Sequence, residues 1–261
     1  MTRTLVLTGA RGGHGTSTVA AALALMSAEH RSTVLVSDDP VATAALVGVP
    51  LELGADWIEV SPNLRFSSSA AREPAMSPAP ELVVVDAGRT QTGPFDDPQP
   101  EPGRGVERYL VVRGPCYVAI SSVLAAGVAH DAAIAVTEPG RALTFCDVAD
   151  VLGIPVVASV AIDPQVARCV DAGLLVERLP RLTALRALER LVGPRSMPSR
   201  APLRNDTDLL GSLCDPSTAR ISCRARPISR AVCTAWDRHP KVRARAEHRK
   251  AVARCCDVLH R

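Results

Sequence analysis

The chain has 261 residues, with 30 Lys/Arg against 27 Asp/Glu and 47% hydrophobic residues, a size and balance that fit one α/β domain with an appendage. Charge is uneven: residues 196–261 carry 14 Lys/Arg and 6 Asp/Glu, leaving 16 against 21 for residues 1–195. No apolar run approaches the ~20 residues of a membrane span. "STVAAALALMSA" follows a glycine loop and leads into a strand-like run, unlike a secretory leader, so the expected compartment is cytoplasmic. Cys116, Cys146 and Cys169 stand in apolar contexts and are expected to be buried, reduced thiols.

In chain order, "TLVLTG" predicts a first strand, followed by the loop "GARGGHGTST" (Gly9 to Thr18) and a helix over "TSTVAAALALMSAEH". Further strands are expected at "STVLVSDD", "ELVVVDAG", "RYLVVR", "AAIAVT" and "PVVASVAID". Helices follow the last three, at "YVAISSVLAAGVAH", "TFCDVADVLG" and "PQVARCVDAG". Continuous apolar strands without polar alternation are what a parallel sheet covered on both faces requires. The expected fold is therefore α/β, a doubly wound, mostly parallel sheet with helices on both faces. Ser67–Pro80 and Thr90–Gly105, rich in Ser, Pro, Gly and acid, read as loops. Leucines 182, 185, 188 and 191 predict a last helix over Arg181–Gly193.

After Pro194 the pattern dissolves. Residues 196–261 read as a disordered basic tail, short of the bulky apolar residues a core needs. Cys214, Cys223 and Cys233 lack metal-finger spacing. The run "HPKVRARAEHRKAVAR" has the charge to touch nucleic acid or an anionic membrane. A run of this kind is more often simply solvated, and this one offers mostly Ala and Val for a membrane face.

The loop carries the chemistry. In a phosphate loop, glycines let backbone amides converge on phosphate oxygens, a lysine reaches the β/γ-phosphates and a hydroxyl holds magnesium. Gly12, Gly13 and Gly15 supply bare backbone, and Ser17 stands at the magnesium-hydroxyl position. The lysine position holds Thr16, and no lysine precedes Lys241. Arg11 is the cation within the loop. A threonine offers one neutral hydrogen bond where a charge-assisted one would be about twice as strong.

The run "RGGHGTST", the helix after it, "VLVSDDP", "LVVVDAG" and the distal "FCDVADVLGIPVVASVAIDPQVARCVDAGLL" together resemble the deviant Walker A ATPases of the MinD/ParA class, CpaE/TadZ-like members included. The likeness spans roughly residues 1–195. It implies ATP or ADP with Mg2+ as ligands, held by Gly12, Gly13, His14, Gly15, Thr16, Ser17 and Thr18. Ser17 and Asp86 would serve the metal, and Asp39 would position the attacking water. Arg11 takes the place of the family's signature lysine, and Ser37 that of an acid. His14, at the family's variable position, reads as solvent-facing. Thr137-Glu138 stand where the family carries an adenine-binding asparagine. Two functions follow: a weakly or non-hydrolysing switch or scaffold in spatial positioning (septum site, partitioning or Tad/Flp pilus secretion), working through protein partners and a homodimer, or an active ATPase using Arg11 in a nucleotide-dependent monomer–dimer cycle.

Overall fold

A computed structural model describes residues 2–50, 57–67, 79–89 and 105–193. The expectation for residues 196–261 lies outside them, as do most of the two loop assignments. The described residues form one eight-stranded sheet. Its strands are β1 (Arg3–Gly9), β2 (Thr33–Ser37), β3 (Ile58–Ser61), β4 (Leu64–Ser67), β5 (Leu82–Arg89), β6 (Val106–Arg113), β7 (Ala132–Thr137) and β8 (Val156–Ala161). They lie in the order β3-β4-β2-β5-β1-β6-β7-β8. Every pairing is parallel except β3 with β4. Right-handed crossovers force helices on opposite faces where the winding reverses, and here it reverses at β1: the chain goes first to β2 on one side, and later from β6 to β8 on the other.

Helix α1 (Thr16–Ala28) is the centre of the core. Ala20 to Ala24 are fully buried round the whole circumference, the signature of a helix enclosed on all sides rather than laid on a surface. Alanine suits that place, because it has the best helix propensity and lets neighbours approach closely. Beneath α1 lie Leu5, Leu7, Leu35, Leu82 and Val84 of the sheet. The short α2 (Pro40–Leu46) packs beside it. Helices α3 (Tyr117–Ala126) and α4 (Phe145–Leu152) serve the β6–β8 half. Thr144 and Asp147 close a reciprocal capping box at the start of α4.

Three differences from expectation have plain causes. The β3–β4 hairpin comprises two four-residue strands, too short to announce themselves by periodicity. Helix α2 has only seven residues, and the chain from Arg181 to Gly193 is not one helix. Leu182, Leu185 and Leu188 are buried at a spacing of three, which is the period of a 3₁₀ helix rather than an α-helix. After α5 (Pro164–Asp171) and α6 (Leu175–Arg178), 3₁₀ turns at Leu179–Arg181 and Thr183–Leu188 precede a single α turn, α7 (Glu189–Val192). Cys116 and Cys169 are free but only half-buried, and Cys146 is disulfide-bonded, so three buried reduced thiols are not what the fold contains.

The segment around α7 is tied to the start of the sheet and to the turn before β2. Arg3 donates to the Leu191 carbonyl at 2.6 Å and forks onto Glu107, while Arg31 donates to the carbonyls of Val192 and Gly193. Truncating Leu185, which is 1% exposed, to Ala should cost about 2–5 kcal/mol of unfolding free energy, read as a lower urea midpoint. An unchanged midpoint would mean that the 3₁₀ segment contributes no core.

Candidate functional site

The carboxyl ends of β1, β2, β5 and β6 lie along one edge of the sheet, beside the point where the winding reverses, which is where open α/β sheets take ligands. The loop from Gly9 to Thr16 folds tightly back on itself. A side chain on Gly9 would put its Cβ 2.5 Å from Thr16 Oγ1 and 3.0 Å from the Arg11 carbonyl oxygen. Gly13 and Gly15 have φ of 78° and 82°, the left-handed region that only glycine enters without strain. Gly15 is the N-cap of α1, with no side-chain cap and no acid in the first turn. The helix therefore begins with bare N–H groups and the positive end of its dipole.

Around Gly12, Gly13 and Gly15 an added Cβ would meet no atom within 4 Å. At Gly12, whose φ is not positive, neither strain nor crowding demands glycine. Open space lined by backbone is the shape of an anion cradle. Its charge is another matter, since the Thr16 side chain is 8% exposed and its hydroxyl lies over Gly9.

On the strand beside β1, Asp86 within β5 is 1% exposed. Its Oδ2 accepts from Ser37 Oγ at 3.3 Å and its Oδ1 from the Gly88 amide at 3.2 Å. Ser37 in turn accepts from Thr43 Oγ1 at 2.8 Å and from the Asp39 amide at 3.1 Å. One hydroxyl thus links β2, β5 and α2. An acid at this position would set two carboxylates side by side, which is unfavourable without a bound cation. Asp39 is exposed and caps α2, its Oδ1 accepting from the Ala42 amide at 3.0 Å.

His14 does not face solvent, which corrects the expectation. It is 9% exposed, with Nδ1 3.3 Å from the Arg113 amide and 3.4 Å from the Val111 carbonyl. The carbonyl also accepts from Ala10 N–H at 2.9 Å and keeps a second lone pair, so Nδ1 takes the Arg113 N–H or gives to Val111 according to its tautomer. Burial lowers the proton affinity of the ring, the Val111 carbonyl opposes this, and the positive charges of Arg11 and Arg113 add to the lowering. Two guanidinium groups therefore lie near the middle of the loop. Arg113 reaches it from β6, donating Nη1 to the Gly13 carbonyl at 3.4 Å.

No protein-family model matches the chain, and no curated protein sequence matches it significantly. Solved structures do. The MinD of the Aquifex aeolicus MinC:MinD cell division complex is 15% identical, with 76% of this chain and 98% of that one covered at a TM-score of 0.59. The septum site-determining protein MinD of Pyrococcus horikoshii OT3, solved with Mg-ADP, is 17% identical, with 74% and 95% covered at 0.55. A ParA family ATPase from Chlorobium tepidum TLS gives 14%, with 74% and 99% covered at 0.53. The fold is that of the MinD and ParA P-loop ATPases.

Within this MinD/ParA fold, Arg11, Gly12, Gly13, Gly15, Ser17 and Thr18 all belong to the loop and the first turn of α1. Asp39 follows β2 as the N-cap of α2, and Asp86 lies within the neighbouring β5. Sequence reasoning missed Arg113, and it named Gly9 only as the start of the loop and Ser37 only as standing in place of an acid. The contacts of Ser37 and Arg113 are with residues 49 and 100 positions away. After β7, Glu138 is held by Arg141 Nε at 2.6 Å, and the pair sits against Gly114. Behind the loop, His130 Nε2 lies 2.8 Å from the Thr8 hydroxyl.

Two predictions follow from this geometry. Gly12→Ala should leave the denaturation midpoint within about 0.5 kcal/mol of wild type, whereas Gly9→Ala, driven into Thr16 and the Arg11 backbone, should lose about 1–3 kcal/mol; equal effects would refute the distinction. Burial also brings His130 down to about 4 from an ordinary 6.5. The unfolded chain takes that proton first, so stability is full above pH 6.5 and falls as pH drops toward 4, by on the order of 2 kcal/mol for this half-buried ring. Denaturation at stepped pH should show that slope, and His130→Gln should flatten it.

Proposed function

We propose that this chain is a nucleotide-responsive switch or scaffold of MinD/ParA descent that holds phosphate weakly and hydrolyses ATP slowly or not at all. The observation that carries the reading is the Thr16 hydroxyl packed onto Gly9, in a loop whose amide cradle is open but whose ammonium is missing. The cradle residues fit a phosphate in shape, through the backbone of Gly12, Gly13, His14, Gly15 and Thr16 and the start of α1. Ser17 and Thr18 complete the first turn. Ser17 would hold Mg2+ through its hydroxyl, and Asp86 through water. Mg2+ when bound neutralises charge on the phosphate oxygens. Asp39, exposed at the β2 end with one oxygen engaged in capping, is the group placed to orient water.

Losing a full charge at the transferring phosphoryl is worth about 3 kcal/mol at the transition state, or roughly two orders of magnitude in rate. The work of the protein is then done by partner contacts and self-association in spatial positioning, as in septum placement, partitioning or pilus secretion. Exposed Val41 on α2 and Tyr117 and Val118 on α3 stand at the same edge of the sheet as the cradle and give such contacts an apolar rim. The neighbour from Aquifex aeolicus was solved as a MinC:MinD complex.

A second reading draws on the two guanidinium groups flanking His14: an active ATPase in which Arg11, with Arg113, replaces lysine and drives a monomer–dimer cycle. Both readings are tested on the full chain. The expected result is a small rise in melting temperature with millimolar Mg-ATP, by mass action, and phosphate release indistinguishable from Asp39→Asn, a variant that keeps the helix cap. Brisk release abolished by Arg11→Ala would install the second reading instead. No thermal shift with any nucleotide would remove nucleotide response altogether.

A further inference from the structure

Beyond the phosphate loop, the described residues contain a second cationic concavity. It lies where α5 runs into α6 and the first 3₁₀ turn, a cavity of about 310 Å3. Arg168 in the last turn of α5, Arg178 at the end of α6 and Arg181 at the end of the 3₁₀ turn all line it. No Asp or Glu does. None of the three guanidinium groups has an ion-pair or hydrogen-bond partner among the described residues. The remaining wall is largely apolar, with Leu174, buried Leu182 and the half-buried thiol of Cys169.

Three arginines unpaired among the described residues line one recess, with Asp171 and Glu177 nearby in sequence but outside its lining, and like charges gathered at a concave surface raise its potential for an incoming anion. Guanidinium is also the side chain suited to planar, forked recognition of phosphate or carboxylate. The volume falls at the lower end of small-molecule sites, and the wall offers a place for an apolar body beside the charges.

We propose that this recess binds a small organic phosphate or carboxylate, an anionic head held by Arg168, Arg178 and Arg181 with an apolar body against Leu174 and Leu182. The site is separate from the nucleotide cradle and shares no residue with it. It does not depend on whether the cradle binds nucleotide.

Cys169 is a built-in reporter, since an occupant covers its thiol. The test measures the rate of iodoacetamide alkylation at Cys169 in the full chain by peptide mass mapping, with free Cys116 as the internal reference. The probes are phenyl phosphate and inorganic phosphate, the first carrying the apolar body that the second lacks. Both should slow alkylation of Cys169 at least threefold without changing Cys116, and phenyl phosphate should do so at a concentration several-fold lower. Arg168→Gln combined with Arg181→Gln, both exposed positions whose loss leaves the fold intact by circular dichroism, should abolish the protection; Arg11→Ala should not. Absence of protection by either probe, equal potency of the two, or protection that survives the double variant would overturn the proposal.

Discussion

Much of this structure depends on the contact between Thr16 and Gly9. The hydroxyl of Thr16 occupies the space a side chain on residue 9 would need, and that close approach lets the chain leave β1, loop over Arg11 to Gly15 and re-enter as α1 within a few residues. Ala10 N–H bonds the Val111 carbonyl, pinning the loop to β6 as well. The geometry of a phosphate loop is thus held by backbone and by a small polar side chain, with no contribution from an ammonium group. Shape and charge are separable here.

The neighbouring strands support that geometry from below. Asp86 is almost wholly buried and would be costly if unpartnered, yet Ser37 and the Gly88 amide satisfy it from two sides. Ser37 extends the network to Thr43 and the Asp39 backbone, so hydrogen bonds join the start of α2 to β5. His14 adds a second tether, lodged against β6 as a ring whose protonation is disfavoured by burial and two nearby cations.

Six strands and the enclosing helix were legible in the sequence because continuous apolar runs and an alanine-rich segment leave few alternatives. The hairpin was not, since "IEVS" and "LRFS" are as short as turns. The leucine spacing of three in residues 182–188 was visible but was assigned to the wrong helix type; the burial of each third residue shows the 3₁₀ period directly. At the site, the glycines and both aspartates could be placed by motif. The inward turn of His14 and the reach of Arg113 could not, because each depends on a strand about a hundred residues away, and pairing across β1 and β6 is a product of the fold.

The proposed function turns on an amide cradle that carries Thr16 and no lysine. Supplying an ammonium there is the most direct test: Mg-ATP affinity and phosphate release measured side by side for wild type and Thr16→Lys, with folding checked by melting. The account predicts a gain of at least tenfold in affinity and roughly two orders of magnitude in turnover for Thr16→Lys. Turnover in wild type that already matches or exceeds the lysine variant, with both proteins folded, would contradict it.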